Sequence, residues 1–253
     1  LFRSAAQKNG KVIYEYDLID QIWEDRPVLS EEPVFALNLK YTGETVASKL
    51  SRIREEMKKA GATAHVLTTL DDICWTLNIR GNDIEFFPLV LSYAVITMDK
   101  VDLYINEAKL NSEIKADLEK DGVVLHPYND IYEDIKKTAS DEVLLIDPAR
   151  LNYALYNNIP EGVAKVEERN PEILFKAIKN EVEIENIRKA QIKDSVAHVK
   201  FMKWLKENVG KMTITEISAS DKLDEFRAEQ CNFIRPSFEP ISSYGEHGAI
   251  VQD

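Results

Sequence analysis

The sequence predicts an α/β (α+β) protein with two regions of different hydrophobic pattern. Within 47–169, segments of helical periodicity alternate with short apolar segments, which is the pattern of a mixed sheet flanked by helices. The run 89–97 is almost continuously apolar, as expected for a central strand buried on both faces. After Pro171 the pattern becomes that of a long helix, so we expect a domain boundary between 167 and 179.

The first region follows a linker at 30–45, which has few periodic positions. The segment 47–60 is an amphipathic helix that carries Leu50, Ile53 and Met57 on one face. The strand 89–97 is expected to pair with 101–105 across a tight turn. Further helices are expected at 71–78, 112–120, 131–137 and 147–157, and further strands at 64–69, 123–126 and 143–146.

The second region predicts two helices and then extended chain. The long helix has apolar residues on two faces, which is typical of a helix packed between other elements. Gly210 is expected to end it, and Thr213 with Glu216 has the spacing of a capping box for a second helix. The segment 238–243 is expected to be extended. The two apolar strips consist of Ile187, Ala190, Ala197, Phe201, Trp204 and Leu205, and of Ile192, Val196 and Val199.

The charge of the chain excludes some classes of partner. The formal net charge is −12, from 32 basic and 44 acidic residues. Nucleic acids and anionic membranes bind clustered Lys and Arg, so neither is an expected partner. No apolar run approaches the length that spans a bilayer. Cys74 and Cys231 match no metal-binding spacing and are expected to be buried thiols, which suits a cytoplasmic location.

Few residues suggest chemistry by their spacing alone. None of the four histidines forms an HExxH motif, and the chain has neither GxSxG nor a glycine-rich phosphate loop. Asp194 lies on the apolar stripe of the long helix and needs a partner, either a metal ion or, as we expect, a neighbouring element. Asp71 and Asp72 are expected to cap the following helix rather than to act as paired catalytic carboxylates.

Three ordered groups of residues resemble the Xaa-Pro aminopeptidases of the creatinase/prolidase superfamily. At 17–27, the string DLIDxIWxDRP resembles the end of the first domain of that family. At 70–83, the string LDDIxWxxNIRGND resembles its middle domain. The strings KNE, TEISA and SFxxISS, at 179–181, 215–219 and 237–243, follow the order found at the start of its pita-bread catalytic domain.

The resemblance implies a domain organisation. Residues 1–46 would be the tail of a preceding domain with a linker, 47–170 a creatinase N-terminal-like middle domain, and 171–253 the first part of a truncated pita-bread domain. Because the chain begins at Leu1 without Met and ends directly after an apolar segment, we expect it to be a piece of a longer protein.

The resemblance also implies an activity and a cofactor for the full-length parent. The parent would release the N-terminal residue from peptides with proline second, would use two divalent ions (usually manganese), and would be a homodimer. In the family the metal ligands are Asp, His and Glu residues that lie beyond the end of this chain. We therefore expect no catalytic residue, no metal ligand and no bound metal here, and an inactive chain.

Three residues are candidates for substrate binding. Arg80 lies in the polar RGND string, where its guanidinium could clamp a carboxylate; the alternative is a solvated loop arginine. In the family this loop lies towards the active-site cleft. Phe238 belongs to the matched SFxxISS string, and His247 lies in a GEHG loop expected to precede the last strand.

Two other functions remain open from the sequence. The chain could belong to a non-enzymatic pita-bread protein that has lost its metal site, such as a chaperone or binding module. It could also belong to a creatinase-like hydrolase of small C–N compounds. An Asp-x-Gly…Asp-x-Thr pattern followed by His, Glu and Glu downstream would indicate the peptidase.

Overall fold

The computed structural model describes residues 18, 19 and 21–249, which residue contacts divide into two units. Within that range, the first unit comprises 18–83 with 88–179, and the second comprises 84–87 with 180–249. The strands are β1 (Phe35–Ala36), β2 (Ala64–Leu67), β3 (Ile79–Arg80), β4 (Ser92–Thr97), β5 (Val101–Ile105), β6 (Val123–His126), β7 (Val143–Ile146) and β8 (Ala164–Glu167). The α-helices are α1 (Leu39–Thr42), α2 (Val46–Lys59), α3 (Leu70–Thr76), α4 (Ser112–Lys120), α5 (Ile131–Asp134), α6 (Tyr153–Asn158), α7 (Glu172–Ala177), α8 (Glu181–Asn208) and α9 (Glu216–Ala228).

A six-stranded mixed sheet forms the centre of the first unit, in the order β6-β5-β4-β2-β7-β8. The pairs β2–β4 and β4–β5 are antiparallel, whereas β5–β6, β2–β7 and β7–β8 are parallel. A separate two-stranded antiparallel sheet joins β1 to β3. The mixed α/β fold is therefore confirmed, including the predicted hairpin between β4 and β5. The sequence predicted none of β1, β3 and β8, and the expectation of a linker at 30–45 is wrong for the part that contains β1 and α1.

Two apolar clusters form the core of this unit. Helix α2 contributes Leu50, Ile53 and Met57 to the larger cluster, each 1% exposed or less, as its spacing predicted. Burying a side chain of this size stabilises the fold by roughly 1.5–3 kcal/mol. Thr45 caps the helix by accepting a hydrogen bond from the Ser48 N–H, at 3.2 Å.

The burial of the central strands differs from the prediction. β4 begins at Ser92, after 88–91, and alternates between buried and half-buried residues. Every residue of β5 is buried instead.

Helix α6 begins at Tyr153, later than predicted, because the Asn152 side chain accepts the Leu155 N–H at 2.9 Å and so acts as its N-cap.

A buried polar cluster attaches α7 to the first unit. His65 on β2 and Glu172 on α7 are fully buried, with the His65 Nε2 atom 3.2 Å from Glu172 Oε2 and His65 Nδ1 3.0 Å from the Leu145 carbonyl. Asp72, in the first turn of α3, accepts hydrogen bonds from Asn170 at 3.1 Å and Lys176 at 2.6 Å. These contacts hold α7 within the first unit, which ends at Lys179, while the predicted domain limit between 170 and 171 stays a prediction.

The second unit contains the long helix α8 and the shorter α9. Asn180 and Glu183 form a capping box at the start of α8. The box of α9 is formed by Thr215 and Ser218, so the predicted Thr213–Glu216 box is wrong. Thr215 is the N-cap because its hydroxyl oxygen accepts the Ser218 N–H at 3.1 Å, and the Ser218 hydroxyl oxygen accepts the Thr215 N–H at 2.9 Å.

The charged residue on the apolar stripe of α8 has a protein partner. Asp194 accepts a hydrogen bond from the Arg227 Nε atom on α9, at 2.9 Å, which supports the structural interpretation. Within this unit several apolar side chains of α8 are exposed, including Ile192 at 66% and Val199 at 69%.

Cys74 is buried as predicted, but Cys231 is exposed, so the prediction of two buried thiols is wrong for Cys231. No helix within the described residues is long and apolar enough to cross a membrane.

Candidate functional site

The turn at 80–83 follows a left-handed residue at the end of α3. Asn78 has φ 52, which asparagine tolerates better than most non-glycine residues. Its side chain accepts a hydrogen bond from Lys49 Nζ at 2.6 Å and donates to the Glu44 carbonyl at 3.0 Å. Lys49 is 1% exposed and its ammonium lies 4.3 Å from the centre of the Trp75 ring. These contacts hold the connection from α3 to β3 in one conformation.

Arg80, at the end of β3, folds its guanidinium back towards α3. The Nη1 atom donates to the carbonyls of Cys74 at 2.7 Å and Ile79 at 2.8 Å. Carbonyls in the last turn of a helix lack partners within the helix, so a cation is a favourable donor to them. Arg80 is half-buried and anchored, rather than a fully solvated loop arginine. Its predicted contact with substrate stays a prediction.

Gly81 is required by a close approach of two backbone segments. Its N–H donates to the Pro88 carbonyl at 3.3 Å, and the Asp83 N–H donates to the Leu89 carbonyl at 3.2 Å. A Cβ atom on Gly81 would lie 2.8 Å from Val90 Cγ2, which is closer than real Cβ contacts. Any larger residue would therefore push 80–83 away from 88–90.

Asp83 ends the turn with a buried ion pair. Its carboxylate pairs with the Lys109 ammonium, and the side chains are 0% and 1% exposed respectively. The Oδ2 atom also accepts a hydrogen bond from the Leu91 N–H at 2.7 Å, while no protein partner is found for Oδ1. The sequence did not predict this pair. The available signal was an acidic residue in the RGND string, but nothing local indicated Lys109 as its partner.

Phe238 and His247 belong to the second unit, whereas Arg80 belongs to the first. Phe238 is 68% exposed. His247 lies in a 3-10 helix, Gly245–Ala249, and not in an open loop as predicted. Its Nδ1 atom lies 2.9 Å and 3.0 Å from the two carboxylate oxygens of Glu216. The strand expected to follow His247 lies outside the described residues, apart from its first positions.

Glu216 connects His247 to the start of α9. The Tyr244 N–H donates to Glu216 at 2.6 Å. This backbone hydrogen bond, followed by the hydrogen bond with His247, lowers the pKa of the Glu216 carboxyl. The imidazole is therefore paired with a carboxylate that stays ionised, and the geometry gives it a local structural partner.

The described residues do not fit a metal centre. Within 18–19 and 21–249, no group of three or more His, Cys, Asp or Glu side chains is arranged to hold a metal ion. A two-metal site needs several such ligands around ions about 3.5–4 Å apart. The acidic residues of α3 and α7 are instead used by Lys176, Asn170 and His65.

Family comparison identifies the chain. Residues 25–183 match the Creatinase/Prolidase N-terminal domain, and residues 185–252 match metallopeptidase family M24. The chain belongs to the creatinase/prolidase superfamily and to its Xaa-Pro aminopeptidase P family. The resemblance of the ordered strings is thereby confirmed.

Individual members of this superfamily match most of the chain. It is 38% identical to the probable Xaa-Pro aminopeptidase P of Neurospora crassa, over 93% of this chain and 36% of that protein. It is 39% identical to Xaa-Pro aminopeptidase 1 of Dictyostelium discoideum, over 93% of this chain and 39% of that protein. The chain thus spans well under half the length of these relatives.

A solved structure supports the fold along nearly the whole chain. The X-prolyl aminopeptidase of Caenorhabditis elegans, described as a cytosolic enzyme with a di-nuclear active site, matches with a TM-score of 0.89 and 34% identity. The match covers 96% of this chain and 40% of that one. The Xaa-Pro dipeptidase of Bacillus anthracis matches at 18% identity with a TM-score of 0.52, which shows a shared fold alone.

Proposed function

We propose that this chain is part of a metal-dependent Xaa-Pro aminopeptidase, which releases the N-terminal residue from peptides with proline second. The observation that carries the proposal is the likeness to the Caenorhabditis elegans X-prolyl aminopeptidase, at 34% identity and a TM-score of 0.89 over 96% of the chain. In this proposal, 47–170 supplies the middle domain and 171–253 supplies the opening of the pita-bread catalytic domain.

The metal ions of the proposed enzyme bind outside the described residues. The match to metallopeptidase family M24 and the di-nuclear site of the Caenorhabditis elegans relative support two divalent ions, for which we propose manganese. Such ions activate water and polarise the scissile carbonyl. The described residues contain no group of three or more potential ligands, so the part proposed for them is to bind and orient the peptide.

Arg80 is the proposed peptide-binding residue of the first unit. A guanidinium presents a planar set of donors that matches a carboxylate or a peptide carbonyl. The two backbone carbonyls that hold Nη1 restrict its rotamers, so less side-chain entropy is lost when a ligand binds. Phe238 and His247 are also proposed to contact the peptide.

The proposed setting of the enzyme is the cytoplasm, as a homodimer. The description of the Caenorhabditis elegans relative as cytosolic supports the location. The homodimer is proposed from the family resemblance, and sedimentation of the protein with a complete M24 domain would test it.

The activity is tested on the protein that carries a complete M24 domain. We expect release of the N-terminal residue from an Xaa-Pro peptide, little release from the matching Xaa-Ala peptide, and loss of activity with a chelator. Arg80→Ala should raise KM or lower kcat/KM with little change in Tm. Arg52→Ala is the matched control, because Arg52 is a half-exposed arginine of the same unit that pairs with Glu44. Equal turnover of both peptides would contradict the proposal, and an unchanged kcat/KM for Arg80→Ala would remove Arg80 from it.

The chain by itself is proposed to be inactive. Metal analysis after exposure to manganese should find no stoichiometric ion, and an Xaa-Pro peptide should not be cleaved. Two bound ions per chain, or turnover that a chelator abolishes, would show a metal site among residues assigned here to structural contacts.

A further inference from the structure

Burial of the Asp83–Lys109 pair costs desolvation free energy, which the contacts of the pair do not fully offset. Both side chains are almost fully buried, and Asp83 Oδ1 has no protein partner. Transfer of two charges from water to the interior is unfavourable, and apolar replacements of such pairs are often as stable or more stable. A buried pair of this kind is therefore better explained by the geometry that it imposes than by the stability that it adds.

The pair holds the end of the turn that carries Arg80. Asp83 also accepts the Leu91 N–H at 2.7 Å, so one carboxylate joins the turn to the segment that leads into β4. Lys109 lies at the end of a 3-10 helix, Glu107–Lys109, and its carbonyl accepts the Val34 N–H at 2.9 Å, directly before β1. β1 pairs with β3 and places Phe35 opposite Arg80. Lys109 thus contacts the residue before β1 through its carbonyl and the turn after β3 through its ammonium, and β3 ends at Arg80.

Contacts other than the ion pair also restrict the 80–83 turn. Gly81 is pressed against Val90, and two backbone hydrogen bonds join 81 and 83 to 88 and 89. Those bonds fix the spacing of the two segments, whereas the ion pair fixes their position against the 3-10 helix. Loss of the pair would let the end of the turn move relative to the 3-10 helix, so these two backbone hydrogen bonds would open more often.

We propose that Lys109 and Asp83 are positioning residues, which hold the 80–83 turn so that Arg80 meets the peptide in a productive orientation. The inference rests on the proposed function, because it assigns them an effect on peptide binding through Arg80. Small displacements of a binding group from its productive position reduce turnover strongly, by up to about a hundredfold for 1 Å.

The test uses a charge-free pair in the protein with a complete M24 domain. In the double variant Asp83→Asn with Lys109→Met, the Asn side chain can still accept the Leu91 N–H, and Met has a length similar to Lys. We expect a rise in KM for an Xaa-Pro peptide of about tenfold or more, with kcat changed less and Tm nearly unchanged. The matched control is Glu107→Gln with Lys115→Met, which removes an exposed pair from the same region, with 3.0 Å between Lys115 Nζ and Glu107 Oε2. Its KM should stay within about twofold of the wild type, as for most exposed pairs.

Combination with Arg80→Ala separates positioning from general damage. If the pair acts through Arg80, its removal from an Arg80→Ala background should change KM little, because residues that act as a unit are not additive. In the chain itself, amide hydrogen exchange at 81 and 83 should accelerate in the double variant, while the amides of β2 and β5 keep their protection.

Each outcome has a separate meaning. A wild-type protein without Xaa-Pro turnover overturns the proposed function and the inference with it. An active enzyme that is impaired by Arg80→Ala but not by the double variant overturns only the inference. The inference is also overturned if the double variant has the same effect with and without Arg80, or if exchange at 81 and 83 is unchanged.

Discussion

Replacement of Glu172 should destabilise the first unit more than the loss of any exposed ion pair. Glu172 and His65 are both 0% exposed, and the His65 Nε2 atom lies 3.2 Å from Glu172 Oε2. Glu172→Ala leaves His65 buried without this partner and removes the packing of α7 at that point. Breaking a buried pair by removing one partner costs about 3–5 kcal/mol.

The structure favours the lower end of that range. The second carboxylate oxygen of Glu172, Oε1, has no protein partner, so the native state already contains one unsatisfied acceptor, which the variant removes. We therefore expect a loss of about 3 kcal/mol, which lowers Tm by about 6–12 °C in a domain of this size. Thermal and urea unfolding, followed by circular dichroism, measure both quantities.

A matched control and a rescue variant make the test specific. Glu133→Ala removes an exposed pair with Lys136, 2.6 Å apart, and should cost less than about 1 kcal/mol. The combination of Glu172→Leu with His65→Leu removes both polar groups and should recover much of the stability. A loss below about 1 kcal/mol for Glu172→Ala would refute the claim that this pair attaches α7 to the sheet.

The remaining predictions concern pH, backbone packing and domain limits. Burial opposes the charged form of His65, but the charge and hydrogen bond of Glu172 outweigh it, so the pKa of His65 is raised. The folded state therefore binds more protons than the unfolded state above the ordinary pKa of about 6.5, so the free energy of unfolding should fall as pH rises through the folded pKa. Urea unfolding at a series of pH values should show a smaller fall for Glu172→Gln. Gly81→Ala should cost about 1–3 kcal/mol, because its Cβ would meet Val90 Cγ2 at 2.8 Å, and an unchanged urea midpoint would contradict this. Mild proteolysis should cut first at 30–33, before β1, or at 178–180, between α7 and α8, where the chain is outside helices and strands and largely exposed; early cleavage inside 89–105 would contradict the assignment of the central strands.

Local patterns in the sequence determined the elements whose signals lie within a few residues. The spacing of Leu50, Ile53 and Met57 is sufficient to define the buried face of α2, because one helix face repeats every three to four residues. The turn between β4 and β5 was predictable for the same reason, since its signals are adjacent in the chain. The ordered strings were sufficient to indicate the family, because they preserve both residue identity and spacing.

Tertiary structure alone decided how the strands are buried and which charges meet. The apolar run that includes β4 could not reveal that its first residues pair with the 80–83 turn, or that β5 is the strand covered on both faces. Glu172 lies 107 positions from His65, and Lys109 lies 26 positions from Asp83. Sequence periodicity describes which side of one element is apolar, but the partner of a buried charge depends on which other elements are packed against it. The position of Arg80 is therefore determined jointly by a local string and by contacts that exist only in the folded chain.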